Sequence, residues 1–321
     1  METARGRLAP PGLVPRVSAR LVVSPEVAEA VAASRPMVAL ETTVVTHGLP
    51  APLGVQTAAA MQQAVRDAGA VPALIGVLEG QVRVGLTTGE LERLAATPGV
   101  VKVNLGNLAS TVSTGRAGST TVAATIAIAH QAGIHVMATG GIGGVHRDVN
   151  ETGDVSADLA ALARFAVTVV CSGAKSVLDL PRTVEALETL GVPVYGVGTD
   201  RFPAFHRRDS GLGLDQRFDR IEDLAAAVRA HRELGLSTGV LVANAVPEKD
   251  EMPRDIYDGA LTQALADATR EGVRGRAVTP FLLERMRVLT GDRSVATNRA
   301  LLVDNARVAA QLAGAVASQG G

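Results

Sequence analysis

The chain has 321 residues, 47% hydrophobic and 20% charged, enough to bury a large core. With 31 basic against 32 acidic residues the net charge is −1, which gives no electrostatic footprint for nucleic acid or an anionic membrane surface, and 2% aromatic content without Trp argues against base-stacking platforms. Cys171 is the only cysteine, so no intrachain disulfide forms, which fits a reducing, cytoplasmic setting; no apolar run reaches the ~20 residues that span a membrane.

Residues 1–20 carry Arg and Pro without the apolar core of a signal peptide and read as a disordered extension, with a cleaved organelle-targeting segment left open. Residues 21–321 show no linker-like break and are expected to form a single domain. Strands are predicted at 37–40, 73–77, 100–103, 134–138, 166–170, 194–197 and 239–243, with 81–84 pairing beside 73–77. Helices are predicted at 55–68, 88–96, 120–131, 156–164, 176–190 around Pro181, 221–234, 254–272, 279–290 and 298–318. This alternation implies an α/β protein whose largely parallel sheet is covered on both faces.

Ligands in parallel sheets bind beyond the carboxyl ends of strands, and Glu41 sits at such an end in ALETTVVTHGLP. It can serve as a general acid or base, or simply bond local backbone, Thr42 or Thr43. His47 in the same run is a weaker candidate. The Gly- and hydroxyl-rich segment 107–122 leads into a helix whose first N–H groups, around Thr121 and Val122, can hold an anion or merely cap an ordinary loop. Lys102 can place a point charge on a phosphate. The run TGGIGGVH, Thr139 to His146, lets a ligand approach backbone closely, but its spacing is a weak match to a dinucleotide fold.

Asp154 and Asp158 lie four residues apart, either as oxygen ligands for Mg²⁺ or Mn²⁺ or as helix-terminal carboxylates. A His/Cys set for zinc is missing. Lys175 follows the apolar run 165–170 in CSGAKS. An amine held out of water can attack a carbonyl to form a Schiff base; the alternatives are a salt bridge to Asp179 or a surface lysine. Cys171 beside it reads as a small buried hydrophobe.

The runs ALETTVVTHGLP, TGGIGGVHR, DVSADL and VTVVCSGAKSVLDLP together resemble the pseudouridine-5′-phosphate glycosidase family, over a span from about residue 24 to the end. The resemblance implies an α/β/α sandwich, a homotrimer, and reversible cleavage of the C–C bond between uracil and ribose 5-phosphate. It implies Lys175 as nucleophile on the ring-opened sugar and Glu41 as proton donor and acceptor. It further implies Asp154 as the ligand of one Mn²⁺ whose shell water completes, and Lys102, Val122, Ser156, Ala157 and Asp158 at substrate-binding positions. Thr121, Thr139 and His146 are expected to join a phosphate site and Asn298 to contact uracil. The chemistry is consistent: a C–C bond has no leaving oxygen to protonate, so a carboxylate pair is insufficient and an iminium supplies the electron sink. Two rivals stand beside this reading. One is a barrel aldolase-like enzyme with a Schiff-base lysine, against which eight evenly spaced βα units are not evident. The other is a non-catalytic sugar-phosphate binding protein.

Overall fold

The computed structural model describes residues 20–275 and 278–318, so the expected extension lies outside the described residues save for Arg20. The first half of the chain runs β1 (Leu21–Val23), α1 (Pro25–Ala32), β2 (Met37–Leu40), a π-helical turn at Val44–Gly48, α2 (Leu53–Asp67), β3 (Val71–Leu78), β4 (Gln81–Val84), α3 (Thr88–Ala96), β5 (Val101–Val103), α4 (Leu108–Ser113), β6 (Gly118–Thr120), α5 (Val122–Gln131) and β7 (Val136–Ala138). The second half runs α6 (Val149–Thr152), α7 (Ala157–Arg164), β8 (Thr168–Cys171), α8 (Leu180–Thr189), β9 (Val194–Val197), β10 (Gln216–Phe218), α9 (Ile221–Glu233), β11 (Val240–Asn244), α10 (Arg254–Arg270), α11 (Val278–Leu289) and α12 (Arg293–Ser318).

The strands join in the order β1-β4-β3-β2-β7-β8-β11-β9-β10, with β6 pairing β3 and β5 pairing β6 off this path. Only β3–β4 and β3–β6 are antiparallel, as expected for a mixed, largely parallel sheet. The sheet is open, with β1 and β10 at its edges, so the closed barrel of the aldolase rival is not formed.

Side chains alternate across each strand, which divides the core in two. Ala39, Ile75, Val169 and Leu241 face one layer, built mainly on α1, α5, α7, α8, α10 and α11. Val38, Leu40, Leu74, Val170 and Val242 face the other, built on α2, α3, α9 and α12. The result is a three-layer α/β/α sandwich. Each large aliphatic side chain so buried contributes about 1.5–3 kcal/mol.

The winding reverses between β2 and β7. The chain leaves β2 through α2 on one face to reach β3, whereas it enters β7 from α5 on the opposite face. Such a reversal opens a crevice beyond the strand ends, and Glu41 and Thr139 stand at its lip.

Several boundaries differ from the predicted ones. Asp179 accepts the Arg182 N–H at 3.1 Å and caps α8, with Pro181 in its first turn, so 176–179 form a loop and not helix. Thr87, with Glu90 in a capping box, opens α3. α5 begins at Val122 behind the cap Thr121, and α12 begins five residues before the predicted start.

Candidate functional site

Beyond the sheet, β7 and β8 continue as two loops bonded to each other. Thr139 N–H donates to Val170 O (3.1 Å), Ser172 N–H to Gly140 O (2.9 Å), Ile142 N–H to Gly173 O (3.0 Å), Lys175 N–H to Ile142 O (3.0 Å) and Asp179 N–H to Val145 O (2.9 Å). The glycine run is required by packing: a Cβ on Gly143 would collide with Ser156 Oγ, and one on Gly144 with Thr183 Oγ1. Lys175 is therefore fixed at its backbone while its half-buried side chain makes no ion pair among the described residues. The salt bridge to Asp179 does not form; Asp179 pairs with Arg182 at 3.6 Å.

Glu41 is buried, and both carboxylate oxygens accept hydroxyl protons, Oε2 from Thr43 and Oε1 from Thr139. Thr139, 98 residues away in sequence, thereby links the glycine loop to the carboxylate. Thr42 instead donates to Ile75 O (2.7 Å) and receives Thr120 N–H (3.0 Å), tying β2's end to β3 and β6.

Lys102 is exposed on β5, yet desolvation, and after it the charge of Lys175, pulls its amine below the usual lysine value; the carboxylates of Glu41 and Asp158 oppose this. These four groups thus share one electrostatic neighbourhood. His47 joins it: desolvation, then Lys102, lowers its imidazole below the ordinary range. Thr46 Oγ1 donates to Ser119 Oγ (2.8 Å), so the 2.6 Å contact between Thr46 Oγ1 and His47 Nδ1 leaves the ring nitrogen as donor and Nε2 as acceptor. Cys171 is fully buried and its thiol is pushed up to about 12 by burial, which makes it the inert hydrophobe expected.

The two aspartates have different fates. Asp158 in the first turn of α7 is buried; Oδ1 accepts Ala123 N–H (2.9 Å) and Oδ2 accepts Gly143 N–H (2.7 Å). It joins the start of α5 to the glycine loop, while Ser156 caps α7 by accepting Asp158 N–H (3.2 Å) and Ala157 begins the helix, half-buried. Thr121 caps α5 through Ala124 N–H (3.4 Å) and Asp158 takes Ala123 N–H, so among the described residues the first N–H, that of Val122, is left without a partner. Asp154 keeps 32% of its side chain exposed, and its Oδ2 lies 3.9 Å from His146 Nε2, while its carbonyl receives His146 N–H (3.1 Å).

Asn298 lies on α12 with Oδ1 buried and unpartnered, two turns before Asn305, whose amide reaches Thr139 O. It makes no hydrogen bond to the other predicted residues. Ser172, Asn244 and Asn305, all buried, were not among the expected residues. The available signal was a polar Asn305 on the apolar face formed by Leu301, Leu302, Ala306 and Ala309. A separate groove of about 610 Å³ lies between α2 and α12, beside Lys249, Arg299 and Arg307, and none of the predicted site residues lines it.

A family model described as indigoidine synthase A like protein matches residues 26–315. The chain belongs to that family. Among indigoidine synthase A-like proteins, the pseudouridine-5′-phosphate glycosidase of Methylobacterium nodulans is 54% identical over 290 residues, covering 90% of this chain and 86% of its own length. The enzyme of that name from Paracoccus denitrificans is 50% identical over 300 residues, covering 93% and 99%. The resemblance carried by the motifs is borne out at the level of the family. Two solved structures share the fold. The prealnumycin C-glycosynthase AlnA, in complex with ribulose 5-phosphate, superposes with a TM-score of 0.87 at 40% identity, covering 94% of this chain and 98% of that one. An indigoidine synthase A-like protein from Thermotoga maritima gives 0.82 at 34% identity, covering 91% and 95%.

Proposed function

We propose that the protein is a cytoplasmic, homotrimeric pseudouridine-5′-phosphate glycosidase, residues 21–321 forming its catalytic domain. The observation that carries this reading is the convergence of Glu41, Lys102 and Lys175 at the lip of the crevice, on a chain about half identical to proteins of that name. No helix among the described residues is long and apolar enough to cross a membrane.

In this mechanism Lys102, His146, Thr121 and the Val122 N–H hold the 5′-phosphate, so that binding energy remote from the reacting carbon positions the sugar. Glu41, entering as the protonated carboxyl, gives its proton to the ring oxygen as the C1′–O4′ bond breaks, and Lys175 Nζ bonds to C1′ and passes a proton to the carboxylate so formed. The re-protonated Glu41 then gives its proton to the uracil C5, the C1′–C5 pair leaves with uracil, and the nitrogen lone pair forms the C1′=N iminium. Water adds to the iminium and releases ribose 5-phosphate with regeneration of the amine. Thr43 and Thr139 hold the Glu41 carboxylate in place throughout, and Asn298, its oxygen unpartnered, faces uracil.

Among the described residues no three His, Cys, Asp or Glu side chains group as a metal cage. The donor set does fit a hard cation anchored by a single carboxylate, since Asp154 offers an oxygen open to water. Mn²⁺ held there would supply positive charge and ordered water beside the sugar.

The test is ultraviolet monitoring of pseudouridine 5′-phosphate with Mn²⁺, with borohydride added during turnover. Uracil release and ribose phosphate trapped on Lys175 are expected. Binding of ribose 5-phosphate without uracil release would favour the non-catalytic rival. Normal cleavage by Lys175→Ala would remove the Schiff base, and activity indifferent to a chelator would remove the metal.

A further inference from the structure

Asn305 is fully buried on α12, and every polar atom of its amide has a partner. Nδ2 donates to Thr139 O (2.8 Å) and Ser172 Oγ (3.1 Å), with Gly140 O at 3.5 Å. Oδ1 accepts from Asn244 Nδ2 (2.9 Å) and, at 3.4 Å, from the Ser172 hydroxyl. The second Asn244 proton goes to Asp304 Oδ2 (2.8 Å), and Asp304 Oδ1 is held by Arg307 at 2.6 Å. The direction of this chain is therefore set. Turning the Asn305 amide over would put its oxygen against two main-chain carbonyls and its nitrogen against the Asn244 N–H₂.

The two acceptors of Nδ2 belong to different arms of the site. Thr139 carries the hydroxyl that donates to Glu41. Ser172 lies three residues before Lys175, and its N–H already joins the glycine loop through Gly140 O (2.9 Å). A single amide thus spans the loop that holds the carboxylate and the loop that holds the amine. The network is satisfied and out of water, where hydrogen bonds resist displacement. Asn305 touches neither Glu41 nor Lys175, so its action is through Thr139 and Ser172.

We propose that Asn305 is a positioning residue that sets the placement of Glu41 relative to Lys175 by clamping Thr139 and Ser172; this rests on the glycosidase reading. The test uses the full chain with Asn305→Asp, which is nearly isosteric but replaces the two N–H donors by an oxygen facing carbonyls. Borohydride trapping counts the competent lysines, and uracil release gives kcat and KM. A misplacement of the two groups predicts kcat per trapped site down by about 10–100-fold with KM within about twofold. A kcat per trapped site within twofold of the parent overturns the proposal, whatever happens to the melting temperature. Ser172→Ala removes one clamped partner with little change of volume and decides the matter if Asn305→Asp is insoluble. It is expected to lower the same quantity by about threefold or more, and an unchanged value overturns the clamp. The rate of trappable adduct formation with ribose 5-phosphate alone reads the same geometry. If the parent forms that adduct but releases no uracil, the glycosidase reading fails while the Asn305 test still stands.

Discussion

The site has a pinned centre and an open rim, and Asp158 and Asp154 show the contrast within one turn of sequence. Asp158 is 5% exposed and spends both oxygens on backbone N–H groups of separate elements, whereas Asp154 keeps 32% of its side chain exposed beside His146. Glu41 and the backbone of Lys175 belong with Asp158; Lys102, His47 and Asp154 belong with the rim. Identical side chains four residues apart thus do different work because one closes a gap between α5 and the glycine loop and the other ends in solvent. Substitutions in the centre should cost fold as well as chemistry. Those on the rim should cost chemistry alone.

Lys175 tests this division most sharply, since its backbone is pinned but its amine is not. Lys175→Ala is expected to lower kcat by about 10³-fold or more while urea unfolding stays near that of the parent. An equally large loss of stability would put the amine in the structural centre instead. Asp158→Ala leaves the Ala123 and Gly143 N–H groups buried without acceptors, and about 2–4 kcal/mol of stability should vanish in urea titrations. Asp154→Asn should leave that titration within about 0.5 kcal/mol. Its effect is a 10–100-fold fall in turnover, of about the size that altering a metal's surroundings produces, read as lost response to added Mn²⁺. Destabilisation by Asp154→Asn would erase the contrast between the two aspartates.

A last effect comes from outside both regions and separates acid loss of fold from acid loss of chemistry. His206 is buried with Nδ1 unpartnered, and burial pushes its imidazole down to about 4. The unfolded chain takes up that proton near pH 6.5, the folded chain only near 4, so stability falls as pH drops through this window. The slope reaches about 1.4 kcal/mol per pH unit at most. His206→Phe should flatten unfolding free energies between pH 6.5 and 4.5, and a slope unchanged by the substitution assigns the acid sensitivity to other groups.

What could be read from the chain follows the range of each signal. β3 was legible as a continuous apolar run buried on both faces, and α9 because its buried positions recur at the helical period. β1, β6 and β10 have three residues each, too few for a period. α1 was missed although Ser24 caps it and Pro25 opens it, a local signature that carried the information. In the site, Glu41 and Lys175 were legible from strand ends, and Thr43 was named as a partner of Glu41 because it is two residues away. The Thr139 hydroxyl on Glu41 and the Ala123 N–H on Asp158 were not, because those pairs meet only when distant segments fold together. Asn305 needed the sheet's C-terminal edge to be brought beneath α12.

That last placement has a consequence for how the protein is made. β2 joins β7 across about a hundred residues of chain, and α12 packs against α2 from the opposite end of the sequence. Contacts so distant form slowly. On the ribosome, the loops carrying Glu41 and Lys175 emerge long before the helix that clamps them. A nascent chain halted before residue 293 would hold both groups without the amide that aligns them, so the centre is completed only once residue 305 has left the ribosome.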